Sequence, residues 1–154
     1  ITLLALSLNK FADAQVDMTK VISMLLVHDI GEIDTGDTMF FVEGGWDNRK
    51  ADEMEAVKRI FGFLPEETAT TFLALWEEFE FGTTAESKFA NALDRAMPVL
   101  LNLENEGQSW RDNNISYDRV VSKIKPPIET GFPALWTYLE TRLADAMEKG
   151  YFGS

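Results

Sequence analysis

The sequence predicts an all-α fold, a single compact multi-helix bundle over residues 1–154, and three observations carry this prediction. Apolar residues recur at helical spacing along most of the chain. Helix-start signals at Asp17, Pro65 and Ser116 precede these periodic stretches. Alternating strand patterns, repeats and long polar linkers do not occur in the sequence. With 154 residues, of which 45% are hydrophobic, the chain is long enough to bury the core of one ordinary domain.

The first 61 residues contain three predicted helices and one loop. Residues 1–8 are apolar at helical phase but lack a capping residue, which indicates the middle of a helix whose first turns are missing from this sequence. Asp17 can cap a second helix over residues 18–30. A loop rich in glycine, aspartate and aromatic residues follows over residues 31–46. A charged amphipathic helix is then predicted over residues 48–61.

Two long helices are predicted in the middle of the chain. Pro65 and the two glutamates after it are typical of a first helical turn, and this helix is predicted to extend to about Glu80. Thr83 and Glu86 have the spacing of a capping box, which predicts a further helix to about residue 105. Pro98 lies inside it and should kink the helix or remove a hydrogen bond.

Two more helices complete the predicted fold. Ser116 opens one that extends to Lys125, where the pair Pro126-Pro127 should break it. The last is predicted over residues 133–149. Its apolar stripe fits either the core or a dimer interface, and consists of Phe132, Trp136, Leu139 and Leu143.

Composition restricts the classes of partner. The chain has 26 acidic and 14 basic residues, a formal net charge of −12, so a nucleic-acid polymer is an unfavourable partner. A small phosphorylated ligand remains compatible with this net charge, because a local cation can reverse the electrostatic field in a pocket. The sequence predicts no membrane span or targeting signal. It contains no cysteine, and we expect a cytoplasmic location.

One cluster of ionisable residues stands out. His28, the only histidine, follows an apolar helix and is joined directly to Asp29. On a continuing helix both would converge with Glu32 on one rim. Asp34 and Asp37 add two carboxylates. Imidazole and carboxylate ligands without thiolate suit Mn, Co, Fe or Zn, and Mg is less favoured by the nitrogen ligand. From the residues alone, a hydrogen-bonded core histidine followed by a solvated acidic loop is the more common arrangement, and the metal site is the alternative.

Two motifs carry a resemblance to a known family. Residues 27–38, VHDIGEIDTGDT, resemble the central motif of the HD-domain superfamily of metal-dependent phosphohydrolases, and are most similar to the 5′-deoxynucleotidase-like branch. Residues 86–95, ESKFANALDR, resemble the later helix that carries the last metal-binding aspartate of the family. The segment over residues 51–79 is also similar. The resemblance therefore covers most of the chain and implies an HD-domain bundle.

The resemblance also implies roles for individual residues. The implied metal ligands are His28, Asp29 and Asp94. Glu32 matches the carboxylate that orients or activates the attacking water, and Asp37 takes part in catalysis and meets the nucleotide. The implied substrate-binding segment is Asp37, Thr38, Met39 and Phe40. For Asp94, the residues alone favour a solvated helix acid beside Arg95 over a metal ligand. The branch commonly forms homodimers. Its pattern also includes a histidine on the first helix, which this chain does not contain.

Three functional hypotheses follow. The first is hydrolysis of a deoxynucleoside or nucleoside 5′-monophosphate to nucleoside and phosphate, with a divalent cation as cofactor. The second keeps the same site but acts on another small phosphoester or a signalling nucleotide. The third is a metal-free helical binding module in which His28 is a structural residue.

Overall fold

The protein is all-helical wherever its structure is described. The computed structural model describes residues 1–12, 15–36 and 46–153, with the backbone alone for 46–48. Within these ranges the helices are α1 (Thr2–Leu8), α2 (Met18–Val27), α3 (Glu32–Thr35), α4 (Trp46–Phe61), α5 (Glu66–Phe81), α6 (Ala85–Glu104), α7 (Gln108–Asp112), α8 (Tyr117–Gly131) and α9 (Pro133–Glu148). A 3₁₀ turn over Asn9–Phe11 follows α1. The predicted all-α class is confirmed.

Helix α6 is the centre of the packing. It contacts α2, α5, α8 and α9, and its buried face includes Phe89, Leu93 and Ala96, each at most 1% exposed. Burying such side chains stabilises a fold by about 1.5–3 kcal/mol each for the larger ones. A second, smaller cluster joins α2, α4 and α5, and its buried members are Val27, Val57, Phe61 and Trp76. Helix α2 contributes buried residues to both clusters, and the partly buried Leu75 on α5 packs against both.

The predicted helix over residues 18–30 ends earlier, at Val27. Asp17 caps its start as predicted, since the carboxylate accepts hydrogen bonds from two backbone N–H groups of the first turn. A continuing helix would need the carbonyl of His28 to accept from the N–H of Glu32. Instead the indole Nε1 of Trp76 donates to that carbonyl at 3.0 Å, and the N–H of Glu32 donates to the Asp29 carbonyl. The helix therefore turns here and restarts as α3.

The cap of α6 lies one residue later than predicted. Thr84, not Thr83, is the N-cap residue, and its hydroxyl accepts from the N–H of Ser87. The hydroxyl of Ser87 in turn accepts from the N–H of Thr84, so a serine closes the box in place of Glu86. Pro98 lies inside the helix, which continues to Glu104.

The prediction that Pro126-Pro127 ends a helix at Lys125 is wrong. Helix α8 continues through both prolines to Gly131. Two backbone donors are lost there, but Pro126 lies on the exposed side of the helix. The opposite side is fully packed, with Val120, Ile124 and Ile128 at most 2% exposed. Tertiary packing on this face outweighs the local preference of the two prolines to end the helix.

The remaining differences concern short or ambiguous segments. Helix α7 was not predicted, because a five-residue helix has too few turns to show periodicity. The loop predicted over residues 31–46 includes α3, while residues 37–45 of that loop lie outside the described part. The stripe on α9 is core, since its four residues are at most 4% exposed. Trp76, Trp110 and Trp136 are buried packing residues.

Candidate functional site

The imidazole of His28 is held in one orientation at the end of α2. Its side chain is only 8% exposed, and its ring lies 5.0 Å from the ring of Phe79, measured between centroids. Nδ1 is 2.9 Å from the backbone carbonyl of Leu25. A carbonyl oxygen can only accept, so Nδ1 must carry a hydrogen. In the neutral ring this leaves the lone pair on Nε2.

Two carboxylates face this Nε2 atom. It is 3.1 Å from Oδ1 of Asp29 and 3.4 Å from Oδ1 of Asp94. A lone pair facing two anionic oxygens is repulsive, so the arrangement requires a proton or another cation between the groups. Burial lowers the pKa of His28, but the hydrogen bond with Asp94 and the charges of Asp29 and Asp94 raise it more, and the net pKa lies above 6.5.

The donor set fits a divalent cation at this point. An imidazole whose far nitrogen is fixed by a carbonyl is the usual form of a metal-binding histidine, and two carboxylates supply the charge that balances the ion. Among the described residues, no group of three or more such side chains is already arranged as an ion-binding cluster. His28 therefore forms two pairwise contacts, one with each aspartate, which a cation would join.

Neighbouring helices fix the two aspartates and the histidine. Trp76, on α5, binds the carbonyl of His28, which holds the turn between α2 and α3. Asn91, on α6, donates from Nδ2 to the carbonyls of Phe79 and Ser87 at 2.8 and 2.9 Å. The bond to Phe79 joins α5 to α6, and Asn91 lies less than one helical turn before Asp94. The two halves of the site are thus positioned by buried polar contacts across α5.

Glu32 lies on the same side of the molecule, at the start of α3. Its carboxylate is 31% exposed and lies 3.9 Å from a guanidinium nitrogen of Arg49. Gly31, just before it, packs against α4 so closely that an added Cβ would lie 3.1 Å from the Glu53 carbonyl. A side chain at this position would require α4 to shift by a few tenths of an ångström.

An open cleft of about 760 Å³ connects these groups. Its lining includes His28, Asp29, Glu32 and Asp94. Four basic residues also line the cleft, Arg49, Lys50, Arg95 and Lys123. Because carboxylates also line the cleft, these basic residues reduce its negative charge rather than reverse it. Lys88, in the segment over residues 86–95 that resembles the family, is exposed and is not among the lining residues.

The structure thus brings together the three predicted metal ligands and opens them to the cleft that Glu32 lines. Their chemical roles stay predictions. Asp37, Thr38, Met39 and Phe40 lie outside the described residues. Sequence reasoning missed Arg49 and Trp76 as parts of the site. Arg49 forms a pair with Glu53 four residues later, which also occurs on ordinary exposed helices, so no sequence signal distinguished it.

The fold and the site together define a helical domain in which a His-Asp pair at one helix end meets an aspartate from another helix in a cleft. The family model described as HD domain matches residues 1–136. The chain therefore belongs to the HD domain family.

Individual relatives agree with this assignment. A solved structure, described as a predicted metal-dependent phosphohydrolase from Magnetospirillum magnetotacticum MS-1, matches with a TM-score of 0.90 and 38% identity, over 99% of this chain and 78% of that chain. The protein named 5′-deoxynucleotidase HDDC2 from Xenopus laevis is 30% identical over 117 residues, which are 75% of this chain and 58% of the relative. The human protein of the same name is 29% identical over 75% of this chain and 57% of its own length.

The chain spans less than three fifths of the length of these two curated relatives. Within the described residues, no helix is both long enough and apolar enough to cross a bilayer.

Proposed function

We propose that this protein is a metal-dependent phosphohydrolase that hydrolyses a deoxynucleoside or nucleoside 5′-monophosphate to nucleoside and phosphate. The observation that carries the proposal is the orientation of His28. Its Nδ1 is fixed by the Leu25 carbonyl, and its Nε2 faces Asp29 and Asp94 in a cleft that also holds basic residues. The names of the relatives support phosphate-ester hydrolysis, and the nucleotide is the finer part of the proposal.

Each group has a task in this reaction. His28, Asp29 and Asp94 hold a divalent cation, for which Mn, Co, Fe or Zn are the expected ions and Mg is less favoured. When bound, such an ion lowers the pKa of a water molecule and offsets charge on phosphoryl oxygens. Glu32 lies in the same cleft and accepts a proton from the attacking water.

The basic residues of the cleft act on the phosphate before the reaction. Lys50 and Lys123 attract the dianion into an otherwise acidic protein. Arg95 lies with Nη1 3.7 Å from Oδ2 of Asp94, where its charge also holds that carboxylate in place. We propose that Asp37 completes the catalytic set, and that residues 38–40 contact the sugar or base.

Assembly and location belong to the same proposal. A homodimer would have to use a face other than the α9 stripe, because that stripe is buried within the chain. We propose a cytoplasmic location, where nucleotide substrates are available. Light scattering on the purified protein and fluorescence microscopy of a tagged protein test these two statements separately.

Phosphate release from a panel of 5′-monophosphates, ribose and deoxyribose, tests the function. The assay uses the full-length gene product, with added Mn, Co or Mg and with EDTA. We expect metal-dependent release that is lost in Asp94→Asn and reduced by about 10²-fold or more in Glu32→Gln. If phosphate is released from other phosphoesters but not from nucleotides, the proposed substrate changes to such an ester. No release from any ester, with no bound metal, would favour a binding module.

Matched acidic variants control for the loss of charge. Asp34→Asn removes a carboxylate from the same short helix as Glu32, but Asp34 is paired with Arg59 and does not line the cleft. Glu104→Gln removes an exposed acid from the same helix as Asp94. We expect both controls to keep wild-type turnover. Equal losses in a control and in its site variant would contradict the assignment of the site.

A further inference from the structure

The guanidinium group of Arg49, on α4, contacts three residues. Its Nε donates to Oε1 of Glu53 at 2.7 Å, which fixes the side chain along α4. Its Nη2 donates to the backbone carbonyl of Gly36 at 2.9 Å and lies 3.9 Å from Oε1 of Glu32. The side chain is only 18% exposed. A guanidinium is planar and presents its donors in a fixed fork, so these contacts constrain one another.

Glu32 is the first residue of α3, and Gly36 is the residue that caps its end. The N–H of Gly36 donates to the carbonyl of Glu32 at 2.8 Å, which closes this single turn. Gly36 has φ 77° and ψ 152°, a conformation that essentially only glycine adopts. Arg49 therefore holds the carboxylate at the start of the turn and the carbonyl at its end from one point. The residue after Gly36 is Asp37, the second carboxylate of the proposed reaction.

From this geometry we infer that Arg49 is a positioning residue for the hydrolysis, acting through Glu32 and the Gly36 carbonyl. The inference rests on the proposed function. With Arg49 present, a positive charge separates the carboxylates of Glu32 and Glu53, which both line the cleft. Without it, two nearby carboxylates repel, and Glu32 loses a positive charge that contributes to fixing its direction. A general base must lie within hydrogen-bond reach of the water that it deprotonates, so this direction determines its efficiency.

Arg59 provides a comparison on the same helix. It binds the carboxylate of Asp34 with two hydrogen bonds of 2.7 Å, and so also ties α4 to α3. Its side chain is 52% exposed, however, and it does not line the cleft. The two arginines thus make similar connections between the same helices, but only Arg49 touches groups that face the proposed reaction.

The test compares Arg49→Gln, Arg49→Lys and the control Arg59→Gln by steady-state phosphate release. We expect Arg49→Gln to lower kcat by about 10- to 100-fold, as misplaced catalytic groups do, with KM changed by less than about 3-fold. Arg49→Lys should recover part of kcat, because it keeps the charge but not the fork. Arg59→Gln should keep wild-type kcat. A rise in KM with kcat unchanged would overturn the inference and place Arg49 in contact with the substrate.

A double-mutant comparison tests whether Arg49 acts through Glu32. In a Glu32→Gln background, Arg49→Gln should reduce the residual kcat by a clearly smaller factor than in the wild-type protein, because one of the two groups that Arg49 positions is already gone. Independent, multiplying losses would overturn the inference.

Hydrogen exchange supplies a readout that does not depend on turnover. Arg49→Gln should raise the exchange rate of the Gly36 amide by about tenfold or more, since the turn that it closes loses its anchor. An unchanged rate would overturn the inference. If the wild-type protein releases no phosphate, the proposed function fails, and this measurement alone decides whether Arg49 holds α3. Circular dichroism of each variant checks that the helical fold is retained.

Discussion

Replacing Trp76 with phenylalanine should weaken the fold and disturb the His28 site together. The indole Nε1 donates to the carbonyl of His28 at 3.0 Å, and the side chain is 3% exposed in the cluster with Val27 and Val57. Losing the partner of a part-buried carbonyl costs about 1–2 kcal/mol, and the smaller ring adds about 1 kcal/mol through imperfect packing. We expect a loss of about 2–3 kcal/mol, or a fall in Tm of about 4–12 °C for a domain of this size.

Urea unfolding followed by circular dichroism measures this loss. Since His28 is the only histidine, its imidazole gives one assignable set of NMR signals, which should shift when the carbonyl of the same residue is released. Phe61→Leu is the matched control, because Phe61 packs in the same cluster and is 5% exposed. It should reduce stability and leave the His28 signal unchanged. A signal that stays fixed in Trp76→Phe, with no greater loss of stability than in the control, would refute the reasoning.

Three further changes test other parts of the structure. Burial raises the pKa of Glu78, but its hydrogen bond from Lys20 helps to hold the pKa below 4.5, so Glu78→Gln should cost about 1 kcal/mol at pH 7. Urea titrations should show this difference shrinking as pH falls below 4.5, since a lowered carboxyl pKa stabilises the fold only while the group is ionised. Gly36→Ala should cost about 1–3 kcal/mol through its backbone strain and should reduce phosphate release, and unchanged melting would contradict this. Gly131→Ala would place a Cβ 2.0 Å from the Lys88 carbonyl, so α6 and α8 must separate, and the melting temperature should fall by about 6 °C or more.

The long helices could be predicted from the sequence because each buries one continuous face. Helix α9 shows this most clearly, with its stripe entirely in the core. Helix ends were less predictable. Thr83 and Thr84 both offer a capping hydroxyl, and either Glu86 or Ser87 can close the capping box. Local chemistry therefore allows α6 to begin at either of two adjacent residues. The continuation of α8 through Pro126 depends on the packing of its opposite face, which no local pattern contains.

The candidate site was predictable in part. His28 and Asp29 are adjacent in the chain, whereas Asp94 could be joined to them only through the family resemblance, since the contact crosses 66 residues. The end of α2 at Val27 depends on a hydrogen bond from Trp76, which is distant in sequence. The role of Arg49 could not be predicted from the sequence either. Pairs such as Arg49 and Glu53 are common on exposed helices, and the bond from Arg49 to Gly36 depends on how α4 packs against α3.

Under the proposed function, the charge of the cleft determines whether so acidic a protein can admit a phosphate. The whole chain has a formal charge of −12, but the described lining of the cleft holds five carboxylates and four basic side chains, a balance of about −1 when His28 is neutral. A divalent cation beside His28 would change this balance to about +1. The same cleft would then repel a dianionic phosphate in the metal-free protein and attract it in the metal-bound protein. Under the proposed function, the cation would serve substrate binding as well as chemistry, and KM as well as kcat should respond as the metal concentration is lowered.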